Sequence, residues 1–518
     1  MKVLLLVIDA ATPHVMCPAV RTGRLPVLQR LADAGTMLDS SVSIFPSITP
    51  AATTSIATGA YPAEHGIAGA SWYDQAREEI AYYGDDFWVI AREGFGQFIR
   101  DFLLRLNGER LRAPTLFQMV ERSGRTAACL NYLVFRGDHP HRVRIPGVMA
   151  ALPGVPLAET VEGPSVLALG DFVGTPSAHG RKLREKGGPF HRFGMDDAST
   201  GSMLRDLFAS GRLPDLTVAY FADNDYRSHE VGPHAALPVI ERIDRMLGEA
   251  FDAAGGINRA LADLCVVLTS DHGHCDVLPD AEQAAIRLDR LLGNFRQAEL
   301  GKPWRDGDKL MICPNMRAAQ IYLRAPVAGL VEQIAQDLLL DHRIDQVIWR
   351  TGHPNRELDG YTVLSARGRL EFSKRPEGSD ALADGFGGHW ECRGDVDALD
   401  LQLDGSTLEF EQYPNAFERI AGILDLDQSG DLWVTARPGC EFEVPGGKAH
   451  VGGASHGALH ALDSFSPVIL AGGPVRPRLP RHMRSIDIAP VCMELLGLPM
   501  RYQPGMPRGV HTLESSRR

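Results

Sequence analysis

The chain has 518 residues, of which 44% are hydrophobic and 23% charged, and its formal net charge is −12. That length admits one large domain with an insertion, or two to three ordinary domains, and the composition excludes a disordered chain. The acidic balance argues against general nucleic-acid binding, which needs an excess of Lys and Arg to meet phosphates.

The first element is the apolar run Val3–Ile8. It stops at Asp9, too soon for the apolar core of a signal peptide, so it predicts a buried strand. No stretch approaches the ~20 apolar residues that cross a bilayer. The eight cysteines include no C-x-x-C pair. This argues against a zinc ribbon or disulfide scaffold and suits a reducing compartment, so the expected location is cytoplasmic. Leu25–Ala34 predicts a helix. Thr126–Leu130, Val166–Leu169, Leu216–Phe221, Leu264–Thr269 and Pro467–Leu470 predict further buried strands, and Leu237–Ala253 and Ile486–Leu496 predict helices.

This alternation predicts an α/β three-layer sandwich with a mostly parallel central sheet. The stretch 279–431 breaks the pattern with turns such as GKPWRDGD and DGFGG and short alternating strands, among them Ala319–Leu323, Tyr361–Leu364 and Leu370–Phe372. It predicts an inserted cap or lid, leaving 1–278 and 432–518 as the core. The closing ESSRR predicts a frayed tail.

In parallel sheets chemistry gathers at the carboxyl ends of strands. Ile8 is followed by Asp9, Phe221 by Asp223 and Asp225, and Thr269 by Asp271 and His272. His229 lies four residues beyond Asp225, and Gly273 allows a tight turn after His272. His456 sits in GASHG, before a predicted strand. Taken singly, such Asp residues are turn formers or helix caps. As a set of carboxylates and imidazoles they suit zinc, or manganese or iron, better than calcium or magnesium. Thr49, in SITPAATTS, is the candidate nucleophile. With Pro50 at the first helical position, Thr49 is expected to cap a helix whose N-terminal N–H groups favour an anion.

Two motifs point elsewhere. CPAVR at Cys17–Arg21 is similar to a sulfatase C-x-P/A-x-R motif, but Thr49 already stands at the expected nucleophile position. GASHG also fits the G-x-S-x-G elbow of a serine hydrolase, with a triad through Asp463 and His482 or through Asp487 and His511. Few residues remain after the elbow to build the rest of that fold, and Asp225, His229, Asp271 and His272 would have no role. A chelator separates the two chemistries.

The segments VLLLVIDA, FPSITPAATTSIATGAYPAEHGIAGASWYD, YFADNDYRSHEVGP, TSDHGH, GASHG and SIDIAPVCMELLGLP together resemble the alkaline phosphatase superfamily. The resemblance is nearest its nucleotide pyrophosphatase/phosphodiesterase-like branch with a threonine nucleophile. It covers both ends of the chain and leaves out the insertion. It implies two divalent metals, one held by Asp225, His229 and His456 and the other by Asp9, Asp271, His272 and the Thr49 oxygen. It implies hydrolysis of a phosphodiester or phosphoanhydride in a small phosphorylated substrate through phospho-Thr49. A phosphomonoesterase or phosphonate hydrolase is the alternative; transfer to a second hydroxyl and a non-catalytic phospholigand-binding protein are more distant ones. The chain departs from the branch at Ala70, where an asparagine commonly donates to a phosphate oxygen. Losing such a donor costs about 2–4 kcal/mol in the transition state. Arg136 and Lys448 are candidates to replace it, and Tyr73, beside Ala70 in ASWYD, is a further candidate for substrate contact. Leaving group and oligomeric state stay open at this level.

Overall fold

The computed structural model describes residues 1–84, 100–147, 159–174, 187, 189–325, 329–351, 360–376, 378, 380–445, 448–473 and 479–500. The expected frayed tail lies outside the described residues. The central sheet has nine strands: β1 (Lys2–Ile8), β2 (Gly35–Val42), β3 (Ala127–Leu130), β4 (Val166–Leu169), β5 (Val173–Gly174), β6 (Leu216–Phe221), β7 (Leu264–Thr269), β8 (Phe465–Gly472) and β9 (Met483–Arg484). Their order across the sheet is β9-β2-β8-β7-β1-β6-β3-β4-β5. The block β7-β1-β6-β3-β4 is parallel. β8 runs antiparallel to both β7 and β2.

Successive side chains of a strand point to opposite faces. In β1, Leu4, Leu6 and Ile8 pack with Leu28, Leu204, Ile240 and Ile243 on one side of the sheet. Val3, Leu5 and Val7 pack with Ile56, Phe117, Ile488 and Cys492 on the other. Every residue of β1 after Lys2 is buried, which is why the sequence reads there as an unbroken apolar run. Helices therefore cover both faces, and the chain is the α/β sandwich that its strand–helix alternation predicts.

Three helices bear on the site: α1 (Thr49–Thr58), α2 (Asp223–Val231) and α3 (Pro233–Ala253). All residues of α1 after Thr49 are buried, so it has no polar face. Its hydroxyls are satisfied internally: Thr53, Thr54 and Thr58 each donate to the carbonyl four residues back, at 2.6, 2.6 and 2.7 Å. Small residues and self-satisfied threonines let this helix lie between the sheets without a buried polar cost.

A second sheet of ten strands begins at Leu310–Asn315 and includes Leu432–Ala436, one strand past the stretch set apart by its turns. Its Trp433 and Ile348, with Phe417 of the helix Ala416–Leu424, pack with Phe45, Ile48 and Trp72 of the first region. All eight cysteines are free thiols. Among the described residues, no helix is long and apolar enough to cross a membrane.

Candidate metal centre and nucleophile

Strand register assembles the site. Ile8 lies beside Phe221 and Val7 beside Thr269, so β1, β6 and β7 leave the sheet at one level. Asp9, Asp225, Asp271 and His272 follow those three ends. Asn224 fastens the exits together, its amide donating to the carbonyls of Asp9 at 2.9 Å and Ala10 at 3.0 Å. Asp225 and His229 share one face of α2, as a spacing of four requires. His456 arrives from the far end of the chain. Ser455 pairs with Cys275 in a short antiparallel ladder, and Gly457 bridges Ser47, two residues before Thr49. Gly273 serves close approach: a Cβ there would lie 2.4 Å from the Leu462 carbonyl oxygen.

The histidines are oriented through their Nδ1 atoms, as metal ligands usually are. His229 Nδ1 is 2.8 Å from the Ala454 carbonyl, His456 Nδ1 2.8 Å from that of Ser47, and His272 Nδ1 3.1 Å from that of Gly273. Each Nε2 then faces the carboxylates. Asp9 Oδ1, Asp271 Oδ2, Asp225 Oδ1 and His456 Nε2 are buried without a hydrogen-bond partner.

Donors on one tetrahedral zinc, each about 2.0–2.1 Å from the ion, are about 3.3 Å apart. Around His272 Nε2, Thr49 Oγ1 is at 3.1 Å, Asp9 Oδ1 at 3.5 Å and Asp271 Oδ2 at 3.6 Å. Around Asp225 Oδ1, His229 Nε2 is at 3.4 Å and His456 Nε2 at 3.7 Å. Most of these separations are long for hydrogen bonds and suit donors that share a cation. The residues present therefore fit a pair of divalent ions.

The electrostatics agree. Burial, with the charges of Asp271 and Asp225, pushes the Asp9 carboxyl well above its usual range. Burial also opposes ionisation of Asp225, but His229 and His274 outweigh it and hold that carboxyl well below its usual range. Burial and the neighbouring His272 hold His456 neutral, its pKa well below the usual imidazole value. A neutral His456 among clustered carboxylates without a counter-cation is the state a metal relieves.

Thr49 differs from expectation in its local role. It is the first helical residue, Ile48 precedes the helix, and no side chain caps it. The N–H groups of Ala51 and Ala52 both donate to the Ile48 carbonyl, and Pro50 has none, so these three residues offer no N–H to an anion. Relieved of capping, the Thr49 hydroxyl turns to His272 instead.

Thr49 opens into a cavity of about 430 Å³ also lined by Asp9, Asp225, His456 and Ala70. Arg136, Lys448 and Tyr73 are not among the residues that line it. Arg136 donates to the Leu111 carbonyl, Lys448 is exposed, and Tyr73 packs edge-on against Trp304 and Tyr322. Arg192 does line the cavity, its guanidinium 4.2 Å over the Tyr226 ring and paired with Asp223. Nothing in the sequence around Arg192 marks it. The structure also adds Tyr220, which donates to Asp9 Oδ2, and His274, whose Nε2 is 2.9 Å from Asp225 Oδ1. Both stand in segments that carry other site residues, YFADND and TSDHGH, but their own roles needed the fold.

The two competing motifs find no support in the geometry. Ser455 Oγ donates to Glu441, Asp463 is paired with buried Arg317, and His511 lies outside the described residues. Cys17 is buried in a helix, burial pushes its thiol up to about 12, and it does not line the cavity.

The site thus combines a three-layer α/β sandwich with paired carboxylate–histidine clusters beside the threonine that opens a buried helix. The type I phosphodiesterase/nucleotide pyrophosphatase family matches residues 3–459, and the chain belongs to that family. Phosphonoacetate hydrolase of Sinorhizobium meliloti 1021, solved with phosphonoformate, superposes with a TM-score of 0.52 at 18% identity, covering 96% of each chain. Murine ectonucleotide pyrophosphatase/phosphodiesterase 5 superposes with a TM-score of 0.56 at 15% identity, covering 98% of each chain. An inactive threonine-to-alanine form of the murine protein was solved with AMP. A 2,3-bisphosphoglycerate-independent phosphoglycerate mutase of Roseobacter denitrificans is 26% identical over 256 residues. The match covers 47% of this chain and 46% of that relative, so the chain spans about half the length of the mutase it matches.

Proposed function

We propose that this protein hydrolyses a phosphodiester or phosphoanhydride through a covalent phospho-Thr49. The observation that carries the reading is the position of Thr49 Oγ1, 3.1 Å from His272 Nε2 and within one cavity with both donor clusters. Asp9, Asp271, His272 and Thr49 would hold one divalent ion, and Asp225, His229 and His456 the other. The donor set favours zinc, with manganese or iron as alternatives. Such ions supply Lewis-acid stabilisation of charge on the attacking and leaving oxygens.

The chain's own residues do the rest. The Thr49 oxygen attacks phosphorus, and the bond from phosphorus to the leaving oxygen breaks. Water then cleaves phospho-Thr49 and frees the hydroxyl. Tyr220 and the backbone N–H groups of Ala10 and His272 fix Asp9 and Asp271, so those carboxylates keep their orientation through both steps. The inactive threonine variant of the murine relative accords with this role for Thr49.

Away from the donors the cavity is walled by Tyr83, Phe102, Leu133, Phe172, Phe193 and Met195. Asn131 also lines it, but its amide is spent on Gly194, Thr200 and Gly170. The wall therefore receives an apolar or aromatic substituent, which a diester carries beside the phosphate. Arg192, rather than Arg136 or Lys448, is the cation on the cavity wall, and meeting substrate charge left uncompensated at Ala70 would require it to turn from Asp223. The stretch 279–431 acts as a cap, contributing Met316 to the same cavity.

The test is kcat/KM for bis-p-nitrophenyl phosphate against p-nitrophenyl phosphate with metal-loaded protein. A preference for the diester supports the reading. A preference for the monoester would replace it with a phosphatase in which Arg192 compensates for Ala70. Phosphoryl transfer to an added alcohol in place of water would replace hydrolysis with transferase chemistry.

A further inference from the structure

We infer that His274 is a fourth protein ligand of the ion held by Asp225, His229 and His456. The inference rests on the two-metal reading of the site and extends it. His274 Nε2 lies 2.9 Å from Asp225 Oδ1, the oxygen on which His229 and His456 also converge. Donor atoms of Asp225, His272, His274 and His456 all lie within 4.8 Å of one another. The side chain is fully buried, and neither of its ring nitrogens has a hydrogen-bond partner. A buried imidazole left this way loses its hydration without a hydrogen bond in return. Ligation relieves that cost at Nε2.

A hydrogen bond to Asp225 is the competing role. The 2.9 Å contact is short enough for one, but the ring is not aligned to donate along it. The segment itself holds His274 in place. The His274 N–H donates to Thr12 Oγ1, and the next residue, Cys275, pairs with Ser455 beside His456. His274 and His456 thus flank this two-stranded ladder, their rings 5.0 Å apart and inclined by 24°. Four donors close a tetrahedral zinc site, the arrangement of tightly held ions.

The experiment uses zinc-loaded full-length protein. Zinc dissociation constants are measured by chelator competition for wild type, His274→Ala and His274→Gln, and a crystal structure is recorded at the zinc edge. Ligation puts His274 Nε2 about 2.0–2.1 Å from zinc. It also predicts that both variants weaken one zinc by more than ~100-fold, beyond the 10–100-fold reached by outer-shell partners. Melting of the metal-free variants, expected near wild type, separates ligand loss from misfolding. Two bound zincs with His274 Nε2 beyond 3 Å, roughly the limit of a bond, would overturn the inference and leave the two-metal reading intact. So would a loss of affinity within the outer-shell range. Wild type that binds no zinc at either cluster would instead overturn the underlying two-metal reading.

Discussion

Arg317 holds the two halves of the site together, and its removal has a calculable cost. Both Arg317 and Asp463 are fully buried and paired. The guanidinium also donates to the carbonyls of Cys440 at 3.0 Å and Ala436 at 3.1 Å. Asp463 in turn accepts from the Ala458 N–H at 3.2 Å, and its carbonyl accepts from the Gly273 N–H at 2.9 Å. The pair thus braces the loop that carries His456 and the turn that carries His272. Arg317→Met leaves a buried carboxylate without its partner, which costs about 3–5 kcal/mol. In urea that is a midpoint lowered by about 1 M or more at an m-value of ~3 kcal/mol/M. Arg317→Met/Asp463→Leu removes the unpaired charge and should regain most of the loss, since an apolar replacement of a whole buried pair is often neutral. Metal-loaded kcat/KM of the single variant should fall on the order of 10²-fold, the effect of small misplacements near the chemistry. A single variant within ~1 kcal/mol of wild type, or a double variant no better than the single, would refute the bracing role.

Thr49→Ala should lower kcat/KM by roughly 10³–10⁶-fold, as loss of a nucleophile does elsewhere, while metal content at Asp225 is retained; full activity would remove Thr49 from the mechanism. Chelation should abolish turnover and lower the melting temperature, because an ion at ~1,000-fold its dissociation constant contributes about 4 kcal/mol; activity that persists after complete metal removal, checked by elemental analysis, would end the metallohydrolase reading. His65 gives an acid-stability prediction. It is buried, its Nδ1 accepts from the Ile67 N–H, its Nε2 is 3.1 Å from Ser55 Oγ, and burial lowers its pKa from 6.5 to about 3. Between those values the unfolded chain binds one more proton, so its stabilisation is intact above pH 6.5 and is lost as pH falls toward 3. Denaturation curves across that window should have a slope near 1.4 kcal/mol per pH unit from this residue, which His65→Gln should remove; equal slopes in the two proteins would contradict it.

Much of the architecture was legible because burial on both faces leaves a plain mark. β1, β6 and β7 are buried at every position after Lys2 and apolar at all but Thr217 and Thr269, and an acidic residue stands within two residues of each strand's end at the sheet's carboxyl edge. Parallel register then brings those residues together, so adjacency of the three strands was the one step the sequence left implicit. The details that escaped are tertiary. Whether Thr49 caps its helix depends on where the Ile48 carbonyl points. Arg136 and Lys448 look the same in sequence as Arg192, yet only the fold places a guanidinium on the cavity wall. His274 is one residue beyond the turn that Gly273 permits, and its inward direction follows from the pairing of Cys275 with Ser455.

The position of Ala70 ties the second sheet to the chemistry. Its N–H and that of Ser71 both donate to Asn315 Oδ1, at 2.7 and 3.1 Å, and its carbonyl accepts from the Tyr83 N–H at 2.7 Å. Asn315 Nδ2 returns a bond to the Ser71 carbonyl at 2.9 Å. One asparagine of the second sheet therefore fixes the backbone at the cavity mouth, and the next residue, Met316, joins the cavity wall. At this point the site has a methyl group and a thioether where a side-chain amide would donate to phosphate. Under the proposed mechanism, apolar contact at Ala70 and Met316 would favour a substituent on phosphorus over another charged oxygen. On the proposed reading Ala70, whose backbone N–H is held by Asn315 of the second sheet, would favour esters with an apolar arm over a bare phosphate.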